Sequence, residues 1–151
     1  MGKMLSIMRG PSGSGKSTHA RMIKNAFEGA VIVSDDNYFM HDGEYKFDPS
    51  LISKAHNDCY YKFLDAIDHE VEEIVVDNTN IHNWEFANYI KAGRMNGYEI
   101  EVIEFMATSV EDIKTCIYRN QHNVPAEIIM RMCCEFEPCF SQKNVTVHGI
   151  V

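Results

Sequence analysis

Eight consecutive residues constrain this chain more than any others. Gly10-Pro11-Ser12-Gly13-Ser14-Gly15-Lys16-Ser17 fits the pattern GxxxxGK[ST] at every position. Glycines in such a turn let successive main-chain N–H groups face inward and line an anion-binding hollow. A helix that begins on the turn adds the partial positive charge of its N-terminus. Lys16 adds a full charge, and the Ser17 hydroxyl suits a hard, oxygen-seeking divalent cation. The implied ligands are the phosphates of ATP together with Mg²⁺. Gly10, Ser12, Gly13, Ser14, Gly15, Lys16, Ser17 and Thr18 are the expected nucleotide contacts.

Such a loop needs a strand before it and a helix after it. Met4–Arg9 carries Leu5, Ile7 and Met8 and reads as a short buried strand. Lys16–Phe27 places Ala20, Ile23 and Phe27 on one helical face. Further strands are predicted over Ala30–Ser34, Glu73–Asp77, Tyr98–Phe105 and Val145–Val147. Helices are predicted from Ser50 as N-cap, over Asn83–Met95, to about Asn120, and over Ala126–Phe136. For the helix ending near Asn120, Thr108 with Glu111 and Ser109 with Asp112 are equal capping frames. Leu51, Ala55, Cys59, Phe63 and Ile67 recur at every fourth position, enough for one buried stripe. Alternating strands and helices imply a parallel sheet covered on both faces, a three-layer α/β P-loop fold. One domain over residues 1–151 is expected, with a lid at about 115–135.

Ligands of open parallel sheets sit beyond the carboxyl ends of the strands. The second strand ends at Asp35-Asp36 and the third at Asp77, so these carboxylates are expected in the crevice that holds the phosphates. Ile74-Val75-Val76-Asp77 has the form of a Walker B strand, and Asp77 with Ser17 is the expected Mg²⁺ site. Asp35 is preferred as a general base for a hydroxyl that attacks the γ-phosphate; helix capping is the other use open to the Asp35-Asp36 pair. Asn78-Thr79-Asn80 would place short polar side chains near substrate or only build the turn. Asp36, Tyr38, Asn78, Thr79 and Asn80 are the expected substrate contacts. Tyr38, Phe39, Tyr45 and Phe47 would either stack a base or pack beneath the loop.

Charge that builds on a transferring phosphoryl group calls for arginine. The chain has few: Arg9, Arg21, Arg94, Arg119 and Arg131. Arg119 and Arg131 flank the polar joint Gln121–Pro125, and a helical hairpin there would close as a lid. His122 in the joint is given no catalytic role.

The net charge of −8 argues against a protein that coats nucleic acid without regard to sequence, but leaves room for a small basic groove. Five cysteines, an odd number, without a secretory pattern imply reduced thiols and a cytoplasmic setting. Cys133, Cys134 and Cys139 lack paired zinc-ligand spacing. No apolar run long enough to span a bilayer is present. Met1-Gly2 with Ser6 formally fits an acylation signal, but the segment reads better as the first buried strand.

Gly10–Arg21 (GPSGSGKSTHAR), Val33-Ser34-Asp35-Asp36, Val75-Val76-Asp77-Asn78-Thr79-Asn80 and Tyr118-Arg119-Asn120 together resemble the P-loop polynucleotide 5′-hydroxyl kinases. Phage and bacterial end-healing kinases belong to that family, and order and spacing agree over nearly the whole chain. Asp36 through Tyr45-Lys46-Phe47-Asp48-Pro49 to Ala55-His56 is similar to a kinase-like branch found in ubiquitin-ligase-binding proteins. The resemblance implies an adenylate-kinase-like domain and a DNA or RNA 5′ end as partner. Asp35 would be the base and Lys16 and Ser17 the ATP and Mg²⁺ contacts, with Arg119 and Arg131 brought in from the lid. Two features depart from the family. Tyr38 stands where relatives commonly carry an arginine, and Asn123 and Val124 stand in a joint that is basic in some. A sugar, nucleoside or other metabolite is therefore an alternative acceptor, and a nucleotide-binding module without transfer activity is a third possibility.

Overall fold

A computed structural model describes residues 2–120, 122–139 and 142–151; Met1 and Gln121, both part of the expectations above, lie outside the described residues. The elements run β1 (Lys3–Arg9), α1 (Lys16–Ala26), β2 (Val31–Val33), a hairpin of β3 (Met40–His41) and β4 (Glu44–Tyr45), α2 (Ile52–Asp68), β5 (Glu73–Asp77), α3 (Ala87–Met95), β6 (Tyr98–Met106), α4 (Val110–Arg119), α5 (Ala126–Glu135) and β7 (Val145–Gly149). Short 3₁₀ turns cover Asp35–Phe39, Pro49–Leu51 and Asn83–Glu85.

Five strands form a parallel sheet in the order β2-β5-β1-β6-β7. Successive residues of a strand face opposite sides, and the core divides accordingly. Leu5, Ile7, Ile74, Val76 and Val102 meet Cys59 and Phe63 of α2 and Tyr89 and Ile90 of α3. Met8, Val75, Ile103 and Phe105 meet Ala20 and Ile23 of α1 on the other face. This is the expected α/β P-loop kinase fold with helices on both faces. The chain order reverses direction across β1, so the crevice beyond the carboxyl ends opens where the glycine-rich loop leaves that strand.

Several local expectations are corrected. Ser50 does not cap α2. Pro49 opens a 3₁₀ turn, and the Asp48 carboxylate accepts from the Ser50 N–H at 2.9 Å and from its hydroxyl at 2.7 Å. The Asn83–Met95 helix is two pieces, because Glu85 turns back to accept from the His82 N–H at 2.8 Å. At α4 the Ser109 frame holds: its hydroxyl accepts from the Asp112 N–H at 3.1 Å. Of the expected stripe, Ala55, Cys59, Phe63 and Ile67 are buried, whereas Leu51 is half-buried and ends the 3₁₀ turn before α2.

One charged group lies at the centre of the strand ends. Arg9 is fully buried and pairs with buried Glu104 of β6. Its Nε donates to the Asn80 carbonyl at 2.7 Å and its Nη2 to the Ile81 carbonyl at 2.8 Å. The guanidinium lies between the Phe86 and Phe136 rings, 4.5 Å from each centroid. Removing one member of such a pair leaves the other charge buried and unpaired. We expect Glu104→Ala to lower the free energy of unfolding by about 3–5 kcal/mol in urea denaturation, more than a surface carboxylate such as Glu111→Ala.

Candidate active site

The loop between β1 and α1 is shaped by two glycines in left-handed conformations, Gly13 (φ 79°) and Gly15 (φ 102°). At Gly13 the close approach is decisive, since a Cβ there would stand 2.1 Å from the Cys116 carbonyl oxygen of α4. The Gly10 N–H donates to the Thr79 carbonyl at 2.9 Å, which ties the loop's start to the segment after β5. Ser12 through Thr18 line a cavity of about 920 Å³. Lys16 is buried on its wall and makes no ion pair among the described residues. A buried ammonium without an ion-pair partner suits an anion.

Three carboxylates stand around the same cavity, at the ends of two neighbouring strands. Asp77 closes β5 opposite Met8; its Oδ1 is enclosed and has no hydrogen-bond partner among the described residues. With the Ser17 hydroxyl on the same cavity, this orphaned oxygen fits a hard divalent cation such as Mg²⁺. Asp35 begins the turn after β2, where its N–H donates to Asn78 Oδ1 at 2.8 Å. Its Oδ2 lies 2.6 Å from His56 Nδ1 of α2, and its Oδ1 is enclosed without a partner. The bond to Asp35 raises the His56 pKa above its ordinary value, against the opposing effect of burial. Cys59, one turn further along α2, accepts from Tyr89 Oη at 3.2 Å; burial pushes its thiol up to about 11, so it stays protonated. Asp36 accepts from Tyr45 Oη at 3.2 Å and lies 3.4 Å from His122 Nδ1. The His122 and Tyr45 rings stack at 4.0 Å. Burial, then Asp36, raises the Tyr45 phenol pKa.

Residues 5–139 match a family model described as AAA domain. The chain belongs to that AAA domain family. Its glycine-rich loop, parallel sheet and helical hairpin make it a P-loop kinase-like domain. Over 132 residues, 87% of this chain, it is 33% identical to NEDD4-binding protein 2 of Homo sapiens, and it covers 8% of that protein's length. Among solved structures, the Pnkp1/Rnl/Hen1 RNA repair complex aligns at 18% identity and TM-score 0.69, over 89% of this chain and 44% of that one. A gluconokinase from Sinorhizobium meliloti 1021 aligns at 17% identity and TM-score 0.60, over 97% and 82%. At these identities the two structures share the fold with this domain.

Of the AAA domain's sequence-predicted site residues, Ser12 through Thr18, Asp35, Asp36, Asp77, Asn78, Thr79 and Arg119 all border the one cavity. Gly10 lies behind it, buried. Three others do not border it either. Asn80 is turned inward as a brace, its Nδ2 donating to the Met8 carbonyl at 2.9 Å, so the substrate role expected of it is corrected. Tyr38 packs its ring edge-on against Phe39 at 5.6 Å rather than facing the cavity. Arg131 is exposed and sits 3.7 Å from Glu135, one position off the Ile128–Met132 stripe of α5 that borders the cavity. Arg119 is exposed and donates to the Val151 carbonyl. The aromatic stretch divides: Phe39, Tyr45 and Phe47 border the cavity and Tyr38 does not.

Sequence reasoning missed His56 and undervalued His122. The only signal for His56 was its place at the end of the kinase-like stretch. Among the described residues no group of His, Cys, Asp and Glu could hold a metal by itself, Cys133, Cys134 and Cys139 included. No described helix is long and apolar enough to cross a membrane. The Gly13 contact yields a test. Gly13→Ala should lower stability by about 2 kcal/mol or more and weaken nucleotide binding in calorimetry, whereas Gly2→Ala, with open space around it, should change neither.

Proposed function

We propose that this domain, residues 1–151, is an ATP- and Mg²⁺-dependent phosphotransferase that acts on the 5′-hydroxyl of a DNA or RNA end. The observation that carries this reading is the meeting of Lys16, Ser17 and Asp77 with Asp35 around one cavity. The loop amides and Lys16 hold the β- and γ-phosphates, and Arg119 reaches them from the edge of the hairpin. Mg²⁺ bound through Ser17 and Asp77 would neutralise charge on the phosphate oxygens. Asp35, held in place through Asn78 and bonded to His56, supplies the carboxylate on which proton removal from the acceptor hydroxyl depends. Phe39, Tyr45 and Phe47 give the acceptor side flat apolar surface suited to a terminal base. The sequence resemblance to end-healing kinases and the shared fold with a protein of an RNA repair complex support a polynucleotide acceptor.

A second reading, a kinase of a sugar, nucleoside or other metabolite, has its own observation. Among the described residues that border the cavity, Lys16, Arg21 and Arg119 are the lysines and arginines, and all three belong to the phosphate side. The wall from Asp35 to His56 carries none, so no side chain there clamps a backbone phosphate.

Incubation with γ-labelled ATP and a 5′-hydroxyl oligonucleotide should give labelled oligonucleotide. Absence of transfer under every divalent metal would remove the polynucleotide reading. Asp35→Ala should abolish transfer while ATP binding by calorimetry survives; equal loss of both would make Asp35 structural. Raising salt from about 50 to about 200 mM should depress transfer to a longer oligonucleotide more than transfer to a nucleoside. Equal salt response, with the nucleoside the better acceptor, would favour the metabolite reading.

A further inference from the structure

We propose that Asp35 and His56 act as a dyad, in which His56 Nε2 takes the proton of the acceptor hydroxyl and Asp35 orients the ring and balances its charge. This deepens the phosphotransfer reading above and rests on it.

The inference begins with what Asp35 has left to offer. Its Oδ1 is enclosed by protein and has no hydrogen-bond partner among the described residues. Its Oδ2 is engaged by His56 Nδ1 at 2.6 Å. An acceptor hydroxyl arriving through the cavity therefore meets Asp35 only at an oxygen the ring already engages. It meets the His56 ring, which borders the cavity and whose side chain is 57% exposed.

The tautomer follows from the partner. A carboxylate only accepts, so the Nδ1 facing Asp35 carries the hydrogen. In the neutral ring Nε2 then holds a free lone pair, the arrangement by which a carboxylate-held imidazole serves as a base. No hydrogen bond occupies Nε2 among the described residues. Asp35 is itself fixed by Asn78 Oδ1 on its N–H, so the ring is aimed by a chain of two hydrogen bonds.

The step balances. The acceptor O–H bond breaks and its proton goes to Nε2. The freed oxygen bonds to the γ-phosphorus. The bond from that phosphorus to the β–γ bridging oxygen breaks, and its electron pair leaves with ADP. The imidazolium formed is stabilised by Asp35 and then loses its proton to water.

The charged groups that bear on His56 are Asp35, from the turn after β2, and Glu85, from the turn before α3; both raise its pKa above 6.5, and burial opposes them. Near Asp35 the other titratable groups are Asp36, which is bonded to Tyr45, and the Tyr45 and Tyr89 phenols and the Cys59 thiol, which burial keeps protonated. The ring is thus cationic below its raised midpoint and becomes a base only as pH rises through it. A carboxylate acting alone would already be ionised near neutrality and would give a flat profile there.

The test is kcat/KM for a 5′-hydroxyl oligonucleotide from about pH 5.5 to about 9. Wild type should show an acidic limb with its midpoint above 6.5. His56→Asn keeps an N–H for Asp35 but removes the free nitrogen; it should lose ~10²-fold in kcat/KM and the limb with it, with ATP affinity unchanged. His56→Ala should be partly rescued by added imidazole. Activity of both variants within about threefold of wild type, with the limb intact, would return the proton to Asp35 alone. Independently of any acceptor, NMR titration of the His56 ring should give a midpoint above 6.5 that falls in Asp35→Asn; a midpoint unmoved by that substitution overturns the dyad. Failure of label transfer in wild type with the titration as expected would strike the acceptor assignment and leave the dyad standing.

Discussion

The site depends on a buried cation that never touches it. Arg9 is the last residue of β1 and the immediate neighbour of the phosphate loop. Its guanidinium joins Glu104 on β6 to the carbonyls of Asn80 and Ile81 just past β5, so three adjacent strand ends close on one group. Glu104 Oε2 also accepts from the Cys139 N–H at 3.2 Å, which brings in the segment after α5. Burial of two charges is expensive, and an apolar replacement could be as stable. What an apolar cluster could not do is hold two specific carbonyls at hydrogen-bond distance. Those carbonyls belong to the turn that follows Asp77, and Asn80 returns a hydrogen bond to Met8, so the loop, Asp77 and Asn78 are held in one register.

Where local chemistry alone decides a feature, it was legible in the sequence. The run Ile74-Val75-Val76-Asp77 is buried on both faces and could hardly be anything but an interior strand ending in the crevice. The loop glycines are read from the conformations they permit. Features decided by distant residues were not legible. Asn80 looks like its neighbours Asn78 and Thr79, but only Asn78 and Thr79 reach the cavity, because the carbonyl of Met8 captures the Asn80 amide. Arg131 was placed by its distance from a joint, whereas a shift of one residue on a helix moves a side chain well around the axis, off the stripe of Ile128 and Met132. His56 carries no mark in its own segment. Its importance comes from a carboxylate on another element.

Charge is partitioned within the cavity. Lys16, Arg21 and Arg119 come to the cavity from α1 and α4, and Asp35, Asp36 and Asp77 from the ends of β2 and β5. Asp36 is occupied in holding Tyr45 and His122, and Asp35 in holding His56. Asp77 makes no ion pair among the described residues, and its enclosed Oδ1 has no hydrogen-bond partner there. That division explains how an acidic chain builds an anion site: its few cations are concentrated at the loop, and its acids meet them across a cavity rather than neutralising them directly.

The same contacts give the α4–α5 hairpin two unequal supports. One turn before its joint, the Cys116 carbonyl lies against Gly13 so closely that only a glycine fits, and separation would unpack main chain from main chain. At its joint, His122 rests on Tyr45 and beside Asp36, both partly exposed. Breaking one ring stack and one half-exposed ionic contact costs about 1–2 kcal/mol together. The joint over Tyr45 is thus the more weakly held part of the hairpin, and it stands beside Asp36 at the rim of the cavity.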